Sequence, residues 1–248
     1  MEVHHHSHHP KRFKEYITEF LMLFLAVSLG FFAENLREHQ VEKEKERQYM
    51  ESFIVDLESD VVNILEGMPR KEGRLQAIDT LFKYFNANPN VVSVPAVIVK
   101  KMKRAAWDRT FIRNTTTINQ LKNSGGLRLI RNRSVSDSIA FYDWRWSRLE
   151  YYRETYISNQ KEIYHLEEQI IEAKDMLPFL VNSNMAITNE NSSPDTGIIR
   201  IRREHLNEYL NLLSRQYIFT KLDRDGYMKI ANQSKSLINL IKKEYDLK

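Results

Sequence analysis

The stretch FLMLFLAVSLGFFA, residues 20–33, contains no charged side chain, although the mean hydropathy of the whole chain is −0.53. No other part of the sequence is comparably apolar. Extended back to Tyr16, the segment reaches eighteen residues and includes one charge, Glu19. Eighteen helical residues rise ~27 Å, close to the ~30 Å hydrocarbon thickness of a bilayer. The sequence therefore predicts a transmembrane helix over residues 15–34.

Two other interpretations of this segment stay open. Apolar runs of about 10 to 14 residues also occur in buried core helices and in cleaved signal peptides. A signal peptide ends at small residues that a peptidase recognises, whereas the sequence after Ala33 continues as ENLRE, which favours an uninterrupted helix. Residues 34–48 contain neither Pro nor Gly and alternate acidic with basic side chains, so we expect them to prolong the membrane helix into solvent.

The composition favours an all-α protein in which one membrane helix continues into a bundle of long helices. The 248 residues include only 7 Gly and 6 Pro, and cysteine is absent, which excludes disulfides and thiolate chemistry. The net charge of +4 arises from interleaved acidic and basic residues, so no specific nucleic-acid partner is indicated. We divide the chain into a disordered His-rich and basic tail (1–14), the membrane helix (15–34) and a helical bundle domain (35–248), with loops near 86–95, 123–133 and 182–200.

Five histidines, at positions 4–6 and 8–9, distinguish the N-terminal tail. The interruption at Ser7 favours a native sequence over an affinity tag. Imidazoles in a flexible tail bind transition metals weakly, and no carboxylate or cysteine pattern accompanies these histidines. We therefore expect neither a metal site nor a cofactor.

Small residues in the membrane segment predict close packing between helices. Ala26, Gly30 and Ala33 are spaced by 4 and 3 positions, which allows two backbones to approach each other in lipid. Glu19 lies inside the apolar zone and favours a polar partner or a position at the membrane interface. Besides the lipid bilayer, we therefore expect a second copy of the chain, or another membrane protein, as a partner.

Beyond the charged stretch, apolar residues step by 4, 3, 4 and 3 positions, which predicts a seam that packs on a partner helix. The partner is either a second copy, as in a coiled coil, or one of the chain's own long helices. The helix should end near Gly67, because Pro69 cannot continue its hydrogen bonds. The seam consists of Met50, Ile54, Leu57, Val61 and Ile64.

A glycine pair interrupts the sequence TTTINQLKNSGGLRLIRN, residues 115–132. A helix through Ile118 and Leu121 should end there, since the left-handed backbone costs least at Gly125 or Gly126. The pair predicts a hinge at a helix–turn–helix corner. The alternative, a cradle for an anion supported by the neighbouring arginines, lacks a following GK[ST] or GxGxxG pattern.

Further along the chain, Ser134 and Asp137 predict a capping box for a helix that runs to about residue 181, in one piece or with a slight break near 158–159. Aromatic residues crowd the first half of this helix but scatter around it, which favours helix packing over an aromatic belt at a membrane interface. The helical pattern returns from about 202 to 248, in two pieces that meet at a DRDG turn, residues 223–226.

Between the helices, the VVSV segment at 91–94 has the composition of a short strand, but no second strand is visible in the sequence to pair with it. Pro95 directly follows, and proline is favoured in the first turn of a helix. We therefore expect a loop over 86–95 and a short helix that begins at Pro95.

The sequence contains no established catalytic or metal-binding motif. Arg200 and His205 have the R-x4-H spacing of HEPN-type ribonucleases, which are also helical. That family usually has a polar residue directly after the arginine, whereas Ile201 is apolar. With 37 basic residues in the chain, such a pair also arises easily by chance.

Three segments together resemble a family of uncharacterised bacterial single-pass membrane proteins, and they cover about a quarter of the chain. They are EYITEFLMLFLAVSLGFFAENLRE (15–38), ESFIVDLESDVVNIL (51–65) and INQLKNSGGLRLIRNRSVSDSIAFYD (118–143). The resemblance implies a bacterial membrane protein with one N-terminal anchor followed by an α-helical domain. It implies no activity, cofactor or substrate.

These observations favour a membrane-anchored helical scaffold or interaction protein that self-associates and has no evident catalytic activity. The alternative is a membrane-anchored HEPN-like nuclease or an oligomeric, pore-type accessory of antiphage defence. We expect location in the bacterial inner membrane. Basic residues at 11–14 lie closer to the apolar segment than those on its far side, which favours a cytoplasmic N-terminus and a periplasmic domain, although the basic residues at 43–47 favour the reverse.

Overall fold

The computed structural model describes residues 13–108, 111–174 and 197–247, and the fold is all-α, as predicted. The predicted tail up to residue 12 and most of the predicted loop at 182–200 lie outside the described residues. In chain order, the elements are α1 (Phe13–Ala87), β1 (Ser93–Pro95), α2 (Ala96–Ala106), α3 (Thr116–Asn123), a 3-10 turn (Gly126–Arg128), α4 (Arg133–Tyr151), α5 (Arg153–Ile170), β2 (Ile198–Arg200) and α6 (Leu206–Glu244).

Helix α1 does not end at Gly67, so that prediction was wrong. The helix continues through Pro69 to Ala87. The ring of Phe111 occupies the place where a Cβ at position 67 would stand, which explains the glycine as a site of close packing. Buried residues on either side of the proline, Ile64 and Leu75, fix the helix against the rest of the domain and compensate for the missing hydrogen bond.

The N-terminal part of α1 is uncovered. From Phe13 to Lys45 no described side chain is buried, and the first buried residue is Glu46. One 18-residue window of α1 has a mean hydropathy of 1.9 and none of it is buried, so by length and composition this helix can cross a membrane. A core helix would have its apolar side chains covered, and these are not.

Two apolar cores lie one after the other along α1 and α6, which pack antiparallel. One core joins the end of α1 to α2, α5, the two strands and the start of α6. The other joins residues 50–64 of α1 to α3, α4 and the second half of α6. Between the two cores, both long helices bury polar residues instead: Lys71 and Arg74 on α1, and Gln216 and Thr220 on α6.

The break between α4 and α5 lies at Tyr152, not near 158–159 as predicted. Asn159 is buried inside α5, where its side-chain amide donates to Oε1 of Gln216 at 2.6 Å. A polar residue at that point therefore marks a contact between helices rather than a helix end.

The predicted DRDG turn is also wrong, because α6 runs without interruption through residues 223–226. A Cβ at Gly226 would lie 2.7 Å from Cδ2 of Leu149, so the glycine allows α4 and α6 to approach closely. Helix packing thus accounts for a glycine whose sequence context indicated a turn.

The corner between α3 and α4 forms largely as predicted. Helix α3 ends at Asn123, and Gly125 adopts the left-handed conformation with φ of 70°. The cap of α4 differs from the prediction: Asn132, rather than Ser134 with Asp137, accepts the backbone N–H of Val135 at 3.2 Å.

Part of the expected loop at 86–95 is a strand instead, at residues 93–95, and it has a partner that the sequence did not reveal. Strands β1 and β2 pair antiparallel, with Val94 opposite Ile199. Pro95 caps the start of α2, in agreement with the prediction that it opens the next helix.

Candidate functional site

The small residues of the membrane segment lie on an uncovered face. Ala26, Gly30 and Ala33 are exposed, and a Cβ placed on Gly30 would meet no described atom within 4 Å. Glu19 is partly exposed on the same helix. The geometry is compatible with close approach of a second helix, since nothing in the described chain occupies this face.

The seam at Met50, Ile54, Leu57, Val61 and Ile64 is buried within the chain. Four of these residues belong to the core that α1 forms with α3, α4 and α6. Its partner in this structure is thus the chain's own set of helices, and the seam presents no exposed apolar surface to a second copy.

The residues with ribonuclease-like spacing lie at the edge of the domain. Arg200 is exposed in β2, opposite Ser93. His205 directly precedes α6, with Nδ1 3.6 Å from Oε2 of Glu208. Neither residue lines the cavity described below. The ribonuclease interpretation therefore stays a prediction without a structural feature that favours it.

A buried ion cluster, which the sequence reasoning missed, lies between the two apolar cores. Lys71 is 1% exposed, and its Nζ lies 2.7 Å from Oδ2 of Asp108 and 2.6 Å from Oδ2 of Asp223. The rings of Tyr156 and Tyr227 lie 5.3 and 5.6 Å from the same nitrogen. Two carboxylates and aromatic faces together compensate for the loss of water around the ammonium.

Arg74, one turn further along α1, completes the cluster. Its guanidinium donates to the carbonyls of Ala105 and Ala106 at 2.7 and 3.1 Å, and Nη1 lies 3.0 Å from Oδ2 of Asp108. It also donates to the hydroxyl of Tyr156, which in turn donates to Asp108. The cluster pairs two cations with two carboxylates and ties α1, α5, α6 and the end of α2 together.

The environment shifts the two carboxyl groups in opposite directions. Burial disfavours ionisation of Asp108, but the charges of Lys71 and Arg74 outweigh that cost and hold its pKa below the ordinary value of 3.8. Burial raises the pKa of Asp223, although Lys71 acts against the shift. Burial also raises the pKa of Tyr156 far above 10.0.

The sequence did carry a signal for this cluster. Gly67, Lys71, Arg74 and Ile78 continue the 3–4 stepping of the apolar seam beyond Ile64. Cations at seam positions are buried when the seam is buried, and a buried cation needs carboxylate partners. The partners come from distant parts of the chain, however, so the sequence alone does not name them.

A cavity of about 680 Å³ adjoins the cluster. Its walls come from the second half of α4, the first turn of α5, the middle of α6 and residues 111–115 of the α2–α3 connection. Asp223, Tyr156 and Tyr227 belong to both the cluster and the cavity wall. In addition to Phe111, six wall residues are aromatic: Trp144, Trp146, Tyr152, Tyr156, Phe219 and Tyr227.

Two carboxylates of α1 hold the connection that forms one side of this cavity. Asp60 accepts the backbone N–H of Asn114 at 2.9 Å and the hydroxyl of Tyr142 at 2.6 Å. Asp56 accepts the backbone N–H of Thr117 at 2.9 Å. These bonds fix the backbone next to Arg113, whose side chain lies in the cavity wall.

The arginines near the glycine pair, which were considered as support for a bound anion, do not line the cavity. Arg131 lies 3.1 Å from Glu42, Arg133 lies 3.7 Å from Asp137, and both pairs are exposed. Among the described residues, no group of three or more His, Asp or Glu side chains is arranged to hold a metal ion.

No protein-family model, no curated protein and no solved structure matches this chain. The fold and the site define its class: a helical domain carried on a helix long and apolar enough to cross a membrane, with an aromatic, arginine-lined cavity beside a buried ion cluster.

Proposed function

We propose that this protein is a single-pass membrane protein that acts as a helical scaffold or interaction protein and associates with itself through the membrane segment. The observation that carries the proposal is the uncovered apolar part of α1, which continues without a break into the domain core. An apolar helix face of this length is stable only when lipid or another protein covers it.

The continuity of α1 supports a scaffold. The same helix contributes the apolar segment at 20–33, the exposed charged stretch up to Lys45 and the buried seam that begins at Met50. A linker of flexible residues would let the domain move freely, whereas a helix sets its distance and rotation relative to the membrane. Partners bound to the anchor and to the domain would therefore be held in a fixed arrangement.

The membrane anchor is tested by fractionation. After a carbonate wash, we expect the full-length protein to remain with the membranes. Full-length protein released into the soluble fraction contradicts the proposal, and a shortened soluble product indicates a cleaved signal instead.

Self-association is tested at Gly30. Gly30→Leu places a large side chain on the small-residue face, so the oligomer mass in detergent should fall. Ser28→Leu is the matched control, because it adds the same side chain to the opposite face of the helix. An equal mass for the wild type and both variants contradicts association through this face.

We further propose location in the bacterial inner membrane with the domain in the periplasm. The basic residues Lys11, Arg12 and Lys14 support this orientation, since positive charge accumulates on the cytoplasmic side. External protease added to spheroplasts should degrade a C-terminal epitope. Survival of the epitope while the membrane is intact would mean that the domain lies in the cytoplasm, which contradicts this orientation.

A further inference from the structure

The cavity wall carries an excess of positive charge. Five cationic side chains line it, compared with three carboxylates, and two of those carboxylates are already bound: Asp223 by Lys71 and Asp225 by Arg224. Glu150 is the third. The five cations are Arg113, Arg145, Arg148, Arg153 and Lys229.

Arg113 is the most enclosed of these cations. Its side chain is 6% exposed, and Nη1 lies 2.8 Å from Oδ1 of Asp143. Lys122 binds the same carboxylate at 2.5 Å, and the buried carboxylate of Asp60 also interacts electrostatically with Arg113. Nε and Nη2 of Arg113 are buried and have no hydrogen-bond partner among the described residues. Unpaired buried donors of a charged group cost considerable free energy, which an anionic acceptor would recover.

The surrounding groups favour a ligand that is more than an inorganic anion. The guanidinium of Arg113 lies 4.8 Å from the ring centroid of Tyr142 and 5.7 Å from that of Trp146. Nε1 of Trp146 and Nε of Arg145, both buried, also have no hydrogen-bond partner among the described residues. Unpaired donors on two arginines and a tryptophan of an aromatic wall, around a volume of about 680 Å³, match the size and chemistry of a small-molecule site.

We propose that this cavity binds a small aromatic molecule that bears a phosphate or carboxylate group. Arg113 binds the anionic group through Nε and Nη2, with Arg145 as a second cation, and the aromatic side chains of the wall contact the ligand body. The proposal does not depend on self-association of the membrane segment.

The test is isothermal titration of the full chain in lipid nanodiscs with 1-naphthyl phosphate, using 1-naphthol and inorganic phosphate as partial ligands. Empty nanodiscs measure partition into lipid. We expect 1-naphthyl phosphate to bind at least about tenfold more tightly than 1-naphthol, because only the phosphate satisfies the charged donors. Inorganic phosphate alone should also bind more weakly, since it makes no aromatic contact. Equal affinity for 1-naphthyl phosphate and 1-naphthol, or no binding of 1-naphthyl phosphate, overturns the proposal.

Variants locate the site. Arg113→Gln should weaken binding of 1-naphthyl phosphate about tenfold, and Arg145→Gln should weaken it severalfold. Arg215→Gln, at an exposed position of α6 outside the cavity, is the matched control and should leave affinity unchanged. Circular dichroism checks folding. If Arg113→Gln does not fold, Arg145→Gln decides the question, and unchanged affinity in that folded variant rejects the assignment.

Discussion

The two halves of α1 share one backbone and differ in what covers them. In the N-terminal half, up to Lys45, apolar side chains point outward and none is buried. In the C-terminal half, charged side chains lie inside, and Lys71 and Arg74 are each 1% exposed. The first half thus exposes apolar side chains, and the second half buries two cations within an otherwise apolar face. The comparison shows that burial of the cations in the second half depends on carboxylates from other elements, whereas the apolar first half has no covering partner among the described residues and is long and apolar enough to cross a membrane.

The largest expected effect concerns the anchor. Replacing Leu25 and Leu29 together with arginine should release the protein from membranes in a carbonate wash, because two arginines in a span cost about 6 kcal/mol of insertion free energy. Val62 and Leu65, exposed on the C-terminal half of the same helix, provide the control pair. The same substitutions there should leave membrane association unchanged. If the variant with arginine at positions 25 and 29 stays in the membrane fraction, the N-terminal half of α1 is not the membrane anchor.

The next effect concerns the buried cations. Lys71→Met leaves Asp108 and Asp223 without their ammonium partner, so we expect the free energy of unfolding to fall by about 3 to 5 kcal/mol. Urea denaturation of the full chain in detergent, followed by tryptophan fluorescence, measures this change.

Lys83→Met on the same helix is the control for Lys71. Lys83 is exposed, and its pair with Asp79 at 2.6 Å should contribute less than about 1 kcal/mol. A similar loss in both variants would mean that burial of the ion cluster does not distinguish the two positions.

Substitution of glycine by alanine should affect the stability of the domain differently in the two halves of α1. At Gly67 the added Cβ meets the ring of Phe111, so the domain should lose about 1 to 2 kcal/mol of stability after the gain in helix propensity is included. At Gly30 the added Cβ meets no described atom, and domain stability should not change. Urea denaturation compares them. A Gly67→Ala variant as stable as the wild type would mean that Phe111 can move aside without cost.

The smallest effect is a pH dependence within the ion cluster. The pKa of Asp108 is lower in the folded chain than the ordinary value of 3.8, so its ionised form contributes stability above that pH, and the contribution is lost as the pH falls through the folded value. The difference in unfolding free energy between the wild type and Asp108→Asn should therefore be larger at about pH 6 than at about pH 3. A constant difference contradicts this assignment.

Local rules predicted the features that depend on a few neighbouring residues. The left-handed position at Gly125 and the start of α2 directly after Pro95 follow from backbone preferences, and both are present in the structure. The same rules failed at Gly67 and Gly226, where glycine indicated a helix end. In each case a side chain from another element, Phe111 or Leu149, packs against the glycine, and no local pattern contains that information.

The sequence alone did not predict the candidate site, for a related reason. The stepping of the seam includes Lys71 and Arg74, so their burial could have been inferred from position alone. Their partners could not, because Asp108 and Asp223 lie 37 and 152 positions from Lys71. Strand β2 was missed in the same way: its three residues are too few to form a pattern and become a strand only by pairing with β1.

By itself, the sequence determined the all-α class, the apolar segment long enough to cross a membrane and the helical stepping that continues from it, because composition and periodicity act over consecutive residues. The tertiary structure alone decided which faces meet: the uninterrupted course of α1 and α6, the pairing of buried charges, and the arginine-lined aromatic cavity. These features depend on residues that are distant in the chain, and their free energies are set by the burial and the geometry that folding brings about.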